Sequence, residues 1–316
     1  MTAPSGGLPI FVWLTPALVA LLLYGLGQGL VKQWIGEVSS GRYCLYYVLA
    51  TSLVNFGFFL TRQHPPFWDP AGREFLAFGV LAYLFDGSAW ILYFQSIALG
   101  PVAIVGTLSA AYPALTIIFA RIFLGEHLTS SQSLGVTLVM AGALGLSYSP
   151  SATDGQITSR RWIPLSLLAL LCWGTSNTII KYSYTLPAAS EANLAVCSSI
   201  GGALTLGVFG LLRGRAGAHS VRAWLHSIVP MGMMAGGSLG LIIAASHGPI
   251  SIVAPLIGAY PVVTLIYARL VLRESISRRQ LHCRDCHRDV ALLDVTPRPA
   301  LAGPARYCTE TALLSP

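Results

Sequence analysis

The sequence predicts an all-α integral membrane protein built from two copies of a five-helix unit, which together would form a ten-helix bundle. Three observations predict this fold class. Hydrophobic residues make up 54% of the 316 residues and charged residues only 10%, whereas a soluble globular domain carries about 25% charged residues. Apolar runs of about 20 residues, the length that crosses a bilayer as a helix, recur along the chain. The pattern of these runs then repeats in the second half.

Nine apolar runs are long enough to be membrane spans. Between the third and fourth runs, and again between the eighth and ninth, the break is a single Gly-Pro pair. Proline after glycine disfavours a continued helix, so each pair indicates a tight helical hairpin. The predicted spans are 10–31, 42–61, 75–98, 101–123, 131–149, 162–182, 192–212, 224–246 and 249–272.

The two halves of the chain align with each other. Residues 100–132 match residues 248–280 without gaps, and 15 of these 33 positions are identical. A shared apolar composition cannot place Glu, Gln, Arg and Lys in register, so the chain is a duplication. Because each unit has an odd number of helices, we expect the copies to be inverted, with substrate bound between them near the bilayer midplane. Equivalent residues include Trp13/Trp162, Gly25/Gly174, Lys32/Lys181, Tyr112/Tyr260 and Glu126/Glu274.

The duplication fails at its C-terminal end. Copy one continues after Gln132 with an uncharged fifth span, but copy two carries six charges between His282 and Arg298, where no window could cross a bilayer. The second unit therefore lacks its last helix. The predicted organisation is a first repeat at 1–149, a polar linker at 150–161, a second repeat with four membrane helices at 162–280, and a non-membrane tail at 281–316.

Two interpretations of the tail are open. One is a soluble extension in which Cys283, Cys286 and His287 form a metal or haem-attachment motif. The other is a shift of reading frame near Leu281, which the abrupt end of the match after Gln280 favours. The cysteines and histidines are too close in sequence to close a zinc tetrahedron, and the short CxxCH pattern often occurs by chance. We therefore assign no metal and no cofactor.

The net charge of +7 does not indicate nucleic-acid binding. Basic residues cluster between the apolar runs, as is typical of loops that face anionic lipid. No basic stretch interleaves aromatic residues, and no phosphate-binding loop for ATP occurs. We expect a lipid bilayer and a small-molecule substrate as partners. The glycine stripes that begin at Gly25 and Gly232 allow close helix approach, either within the chain or in a homodimer.

Two motifs resemble a known family. A WGTSN run that begins at Trp173 and is followed by Lys181, and Gly125–Glu126 followed by Gln132, are similar to stretches of EamA-type transporters in the drug/metabolite transporter superfamily. The resemblance covers residues 10–280. It implies two inverted EamA repeats, a central cavity, and movement of small metabolites, often amino acids or drugs, across the cell membrane. It also implies a cytoplasmic N-terminus, whereas the arginine-rich loops favour an external one, and the orientation stays open.

Polar side chains at helical spacing mark a candidate binding site. The first span carries Tyr24, Gln28 and Lys32, and the sixth carries Trp173, Asn177 and Lys181 at equivalent positions. Residues four apart share one face of a helix. A polar stripe that faces lipid is costly, so we expect both stripes to face the bundle interior or a watery cavity. The alternative is that the lysines extend from helix ends to the membrane interface.

Asp86 is the only acid near the centre of a predicted span. Trp90 and Tyr93 lie on the same helical side, and the counterpart of Asp86 in copy two is the apolar Met234. An intramembrane carboxylate is a candidate proton-coupling site or a ligand for a cationic substrate. A structural role beside a buried lysine or backbone donor is the alternative.

The Tyr-Pro pairs at Tyr112 and Tyr260 interrupt the fourth and ninth spans at the same place. Proline frees a backbone carbonyl, and irregular backbone that lines a cavity can use it. We therefore include both tyrosines among the candidate binding residues. A simple packing kink is the alternative.

These features predict a non-enzymatic transporter that moves a small metabolite or drug, with an amino-acid-like solute favoured, by alternating access. We expect an exporter driven by a proton or solute gradient. Two alternatives are open, a non-transporting product of a damaged gene and a membrane-embedded lipid-modifying enzyme. Such an enzyme needs convergent His, Asp or Glu side chains near one interface, whereas the seven histidines are scattered along the chain and no paired carboxylates occur.

Overall fold

The computed structural model of the protein describes residues 10–34, 40–99, 105, 108, 111–147, 161–214 and 221–271. All regular elements in these ranges are helical. Six of the helices are long and apolar enough to cross a bilayer, and two shorter apolar helices accompany them. The predicted all-α membrane fold is confirmed. The tail (281–316), Glu274 and most of the predicted linker lie outside the described residues.

Four helices of the first copy follow the predicted spans to within a few residues, whereas the fourth begins at Tyr112, inside the predicted span 101–123, most of whose earlier residues lie outside the described ones. A short 3-10 turn at Pro70–Gly72 precedes the third helix. The helices are α1 (Phe11–Trp34), α2 (Ser40–Thr61), α3 (Arg73–Leu99), α4 (Tyr112–Phe123) and α5 (Ser130–Ser147).

The helices of the second copy also follow the prediction, with one irregularity. A π-helical turn at Ala203–Gly207 joins two α-helical segments within the seventh predicted span. The helices are α6 (Trp162–Ser183), α7 (Glu191–Gly202), α8 (Val208–Arg213), α9 (Val221–His247), α10 (Ile250–Gly258) and α11 (Tyr260–Leu270).

A Tyr-Pro pair begins a helix at the equivalent place in each copy. α10 ends at Gly258 and α11 begins at Tyr260, with Pro261 in its first turn. α4 begins in the same way at Tyr112, with Pro113 in its first turn. Proline has no N–H to donate and its ring clashes with the carbonyl four residues earlier, so the preceding helix cannot continue through it. The predicted interruption is confirmed at Tyr260–Pro261, and in the first copy a helix begins at the equivalent residue, Tyr112.

The two copies pack against each other reciprocally. α1 of the first copy packs against α9 and α11 of the second, while α6 of the second packs against α3 and α4 of the first. The second helices, α2 and α7, contact each other. An approximate two-fold relation between two copies produces such a pattern. The interface between the copies therefore runs through the centre of the bundle.

The buried core consists of side chains from both copies. Phe75, Ile180, Leu194 and Ile242 belong to one apolar cluster and are almost completely buried. The outer helix faces instead expose large apolar side chains, among them Leu138, which is 65% exposed. Lipid tails are as apolar as leucine, so these outer faces suit a hydrocarbon environment.

The glycine stripes bring helices together within the chain. A Cβ atom at Gly25 would lie 2.8 Å from the carbonyl oxygen of Tyr260, and one at Gly240 would lie 2.9 Å from that of Pro16. The hydroxyl of Thr264 donates to the carbonyl oxygen of Gly25 at 2.9 Å, which joins α11 to α1. Small residues permit this close approach of membrane helices. A homodimer stays a prediction.

Candidate functional site

A polar cavity opens between the two copies. Its volume is about 20 Å³, which is room for about one water molecule. The lining comes from α2, α3 and the α7–α8 segment, with one residue from α9. Its polar residues include Tyr47, Thr51, Tyr83, Asp86, Ser198 and Ser238.

Asp86 is the acidic residue of this lining. It is the central residue of the 27-residue helix α3, and the other lining residues are neutral. Most of the polar neighbours carry hydroxyl groups, either phenols or the hydroxyls of serine and threonine. Hydroxyls can both donate and accept hydrogen bonds. Among the described residues, the lining therefore combines one carboxyl group with several hydroxyl groups and contains no cation.

Several buried polar atoms at or beside the cavity have no hydrogen-bond partner among the described residues. They are the side-chain oxygen of Asn55 and the hydroxyl oxygens of Thr51 and Tyr83, although Tyr47 lies within reach of Thr51 and Ser198 within reach of Tyr83. The Asn55 amide nitrogen donates to the carbonyl of Ala195 at 2.9 Å and to the hydroxyl of Ser199 at 3.1 Å. A buried polar group without a partner costs about 1–3 kcal/mol. A water molecule in the cavity can complete the bonding of these groups.

An aromatic cluster borders Asp86 on the side of α6. The Trp173 indole lies within hydrogen-bonding reach of the Asp86 carboxyl. The Trp173 ring also lies 5.2 Å from Trp90, 5.6 Å from Tyr93 and 5.7 Å from Tyr112, measured between centroids. Aromatic pairs prefer such offset or edge-to-face geometries at 4.5–7 Å. Trp173 thus connects α6 to both α3 and α4 beside the carboxyl.

A second aromatic pair lies at the equivalent place in the other copy. The rings of Tyr24 on α1 and Tyr260 on α11 lie 6.1 Å apart. The Gln28 side chain is within hydrogen-bonding reach of the Tyr260 hydroxyl, and the Tyr24 hydroxyl is within reach of Ser238. Tyr24 and Tyr260 correspond in sequence to Trp173 and Tyr112, so the two aromatic contacts are copies of each other.

The structure brings most of the predicted site residues to the centre of the bundle. Seven of them lie in or beside these contacts, namely Tyr24, Gln28, Asp86, Tyr93, Tyr112, Trp173 and Tyr260. Asn177 is 7% exposed, one turn along α6 from Trp173. The side chain of Lys32 lies outside the described part of the chain.

Lys181 lies elsewhere, at the end of α9. Its ammonium group donates to the carbonyl oxygens of Ala245 at 2.9 Å and Gly248 at 2.7 Å. The last carbonyls of a helix lack partners within the helix and attract cations. These bonds support a structural role for Lys181, in which it closes the C-terminal end of α9.

Glu126, from the loop between α4 and α5, binds the other side of the same turn. Its carboxylate accepts hydrogen bonds from the backbone N–H groups of Ile250 at 3.1 Å and Ser251 at 3.0 Å, and from the Ser251 hydroxyl. A carboxylate at a helix N-terminus satisfies orphan donors and opposes the helix dipole. We refer to Glu126 and Lys181 as the hairpin clamp, because together they hold the turn between α9 and α10.

Some cavity residues were missed by the sequence analysis. Tyr83 lies three positions before Asp86 and therefore on the same helical face, so this spacing could have revealed it. Ser198, Ser238 and Tyr47 carry no such signal, because their place in the cavity depends on how α2, α7 and α9 pack. The π-helical turn after Gly202 also borders the cavity, and turns of this kind are frequent at functional sites.

Comparisons with known proteins give a consistent result. The family model described as "EamA-like transporter family" matches residues 11–148 and 160–283. A curated protein from Sinorhizobium sp, described as "Uncharacterized transporter in cobO 3'region", is 40% identical over 76 residues, which are 24% of this chain and 53% of that protein. The match thus spans about half the length of that relative.

A solved structure has a similar fold. It is described only as "Crystal structure of protein", and it superimposes with a TM-score of 0.66 at 18% sequence identity. The match covers 89% of this chain and 91% of that one. At this identity the likeness concerns the fold alone.

Proposed function

Because the chain belongs to the EamA-like transporter family, we propose that it carries a small polar solute across the cell membrane through the cavity at Asp86. The chain is a multi-pass membrane protein. The observation that carries the proposal is the position of Asp86, a carboxyl group at the centre of a membrane helix that lines a polar cavity between the copies. An ionisable group in that position is costly in lipid and typically marks a substrate or ion pathway.

The packing of the copies supports transport by alternating access. Such transport needs two bodies that rock against each other around a fixed site. The cavity lies between α2 and α3 of the first copy and α7 and α9 of the second. The hairpin clamp joins the copies at one end, because Glu126 of the first copy binds the start of α10 in the second. We propose that contacts of this kind form and release as the cavity opens to either side.

The proposed solute is amino-acid-like or otherwise carries an amino group, because Asp86 offers its charge to an ammonium group. A carboxyl group binds either a proton or that ammonium group at one time. This competition couples the movement of solute to proton movement in the opposite direction. We therefore propose export driven by a proton gradient, or by the gradient of a second solute that exchanges through the same site.

The test is flux through proteoliposomes that contain the full 316-residue chain. Tritiated amino acids and their decarboxylated amines serve as the solute panel. We expect saturable flux for at least one class and a loss of at least about tenfold in Asp86→Asn, equivalent to about 1.4 kcal/mol of transition-state stabilisation. Asp69→Asn is the matched control, because Asp69 is exposed in the loop before α3. Full flux through Asp86→Asn would contradict the proposal.

Proton coupling has a separate readout. Efflux from solute-loaded proteoliposomes should accelerate when the external buffer is acidified, and a protonophore should remove the acceleration. If the efflux rate is independent of the proton gradient but depends on the external solute, the protein exchanges one solute for another and does not couple to protons.

A further inference from the structure

A second set of polar contacts lies at the end of the bundle held by the hairpin clamp, which we call the clamp end. We propose that Tyr184, Glu191 and Ser246 form a latch that keeps the clamp end closed at rest, so that the empty protein exposes its cavity at the opposite end. This inference rests on the proposed transport by alternating access. It adds the direction in which the resting protein opens.

The latch joins the last two turns of α9 to the chain at the start of α7. The Ser246 hydroxyl donates to the Glu191 carboxylate at 2.9 Å. The Tyr184 hydroxyl donates to the backbone carbonyl oxygen of Ile242 at 2.8 Å. Glu191 is the first residue of α7, and Tyr184 directly follows α6. Both contacts therefore connect α9 to the segment that leads from α6 into α7.

Glu191 is the favoured acceptor for the Ser246 hydroxyl. The carbonyl oxygen of Ile243 lies 2.7 Å from the same hydroxyl, and a hydroxyl donates one hydrogen bond at a time. Hydrogen bonds to an ionised acceptor are stronger than bonds between neutral groups, so the carboxylate competes well with this carbonyl. The Nδ1 atom of His247 also lies 3.4 Å from the Glu191 carboxylate. The carboxylate thus holds the end of α9 at two neighbouring residues.

The latch lies between the cavity and the clamp end. Ser198 of α7 and Ser238 of α9 both line the cavity. Glu191 and Ser246 lie seven and eight residues from these serines, so both are about 10–12 Å from the cavity along their helices. Residues at these spacings share one face of a helix. The latch therefore holds α7 and α9 together at the place where they must separate to open the cavity towards the clamp end.

The latch has no equivalent in the sequence of the first copy. Both residues of the hairpin clamp have identical equivalents in the other copy, but the polar residues at the end of α9 are replaced by apolar ones at the end of α3. The first turn of α2 carries no acidic residue, whereas that of α7 carries Glu191. Equivalent positions in the two copies are Tyr184/Ile35, Ser246/Ala98 and His247/Leu99.

This asymmetry gives the two ends of the bundle different free energies of closure. In an inverted repeat, the states open at one end and at the other are two-fold equivalents, so identical copies would populate them equally. A contact that forms in only one of two conformations shifts the population towards that conformation. The clamp residues occur in both copies and give no such preference. The latch residues occur once, and they favour closure of the clamp end.

Cysteine reporters on α9 test which end is open. Ile242 and Met234 each lie one turn from Ser238 on the same helical face, Ile242 towards the latch and Met234 away from it. Each is replaced by cysteine in a full-length chain whose six natural cysteines are changed to alanine. N-ethylmaleimide is added to the purified protein without solute, and mass spectrometry measures the labelling rate. We expect Met234→Cys to react faster than Ile242→Cys.

Removal of the latch should move labelling from one end to the other. The rate at Ile242→Cys should rise by at least about fivefold, which corresponds to about 1 kcal/mol in the conformational equilibrium, and the rate at Met234→Cys should fall. Glu74→Ala is the matched control, because Glu74 is also an acidic residue in the first turn of a helix at the clamp end but is exposed. It should change neither rate. The latch-free variant combines Tyr184→Phe, Glu191→Ala and Ser246→Ala.

The two labelling rates together distinguish a shift between conformations from a loss of stability. A monodisperse gel-filtration peak shows that each variant is folded. Faster labelling of both reporters in the latch-free variant would show a loosened bundle and overturn the latch, and so would unchanged rates. Solute flux in proteoliposomes is measured separately. Flux with unchanged labelling rates would overturn the latch and leave transport standing, whereas opposite changes in labelling without flux of any solute would support the latch and contradict transport.

Discussion

The third helices of the two copies differ more sharply than the helices around them. Tyr24–Tyr260 in one half and Trp173–Tyr112 in the other are aromatic contacts at equivalent positions, 6.1 Å and 5.7 Å between centroids. The third helices share no such correspondence at the cavity. Equivalent positions on α3 and α9 are Tyr83/Met231, Asp86/Met234, Trp90/Ser238 and Tyr93/Leu241.

This difference shows which features of the site are present in both copies and which are present in one. The aromatic contacts and the reciprocal helix packing are present twice, so they belong to the duplicated scaffold. The carboxyl group occurs once, on α3, where Trp173 and the hydroxyl groups surround it. A single carboxyl group in a two-fold framework makes the two sides of the cavity chemically different. The duplication thus produces the helix packing twice, whereas only one of the two third helices carries the carboxyl group.

The largest effect is expected when the carboxyl group is moved from α3 to the equivalent position on α9. Asp86→Met should abolish amine flux, and adding Met234→Asp should not restore it. Met234 packs in an apolar cluster with Ala50, Met231 and Ala235, so a carboxyl group there is unpaired and costly. Flux in proteoliposomes measures the outcome. Met234→Leu is the control, and a volume-conserving change of this kind costs less than about 1.5 kcal/mol.

Restored flux in the double variant would show that the two third helices are interchangeable. The cavity would then need only one carboxyl group on either side, and the aromatic surroundings of Asp86 would lose their special role.

Removing the bonds of the hairpin clamp should have a second, smaller effect, on stability. Lys181→Met and Glu126→Gln each remove charged hydrogen bonds, which typically contribute about 1.5–3 kcal/mol, so both variants should unfold at lower temperature than the natural chain. Thermal unfolding in detergent measures the loss. Lys32 has the equivalent sequence position in the first copy, so Lys32→Met sharpens the comparison. Equal losses would indicate a duplicated clamp, and a loss confined to Lys181→Met would indicate a single one.

Unchanged melting of both Glu126→Gln and Lys181→Met would contradict the clamp. Their bonds to the ends of α9 and α10 would then contribute nothing measurable to stability.

The smallest expected effect concerns the two equivalent aromatic residues. Trp173→Phe removes the indole N–H beside Asp86 and weakens attraction to a cation, so phenethylamine affinity should fall by about fivefold, or about 1 kcal/mol. Tyr24→Phe keeps the ring that packs on Tyr260 and should change affinity by less than about twofold. Titration calorimetry measures both variants. A larger loss for Tyr24→Phe would place the solute on the opposite side of the cavity.

Much of the fold follows from the sequence because its signals are local. Apolar length predicts a span, and Pro113 and Pro261 predict the helix breaks. The internal match predicts that Tyr24 and Trp173 occupy equivalent places. Asp86 is recognisable as a candidate site residue because a lone carboxyl group inside a membrane span is costly and typically marks a functional site.

The remainder of the site depends on distances between helices. A lysine near a helix end can reach a cavity, the interface or a carbonyl, and the pattern alone does not distinguish these outcomes for Lys181. Tyr47 and Ser238 enter the cavity only because α2 and α9 cross there. The π-helical turn at Ala203–Gly207 lies within an apolar run that, by its length and composition, predicts a regular helix.

The most direct test of the central claim is carbodiimide labelling of Asp86 in the intact membrane-embedded chain. Dicyclohexylcarbodiimide modifies protonated carboxyl groups within membranes, and mass spectrometry of the peptide containing Asp86 measures the modified fraction. The account predicts that Asp86 is labelled, that saturating phenethylamine protects it, and that 3-phenylpropionate does not. Labelling that phenethylamine leaves unchanged would contradict solute binding at Asp86.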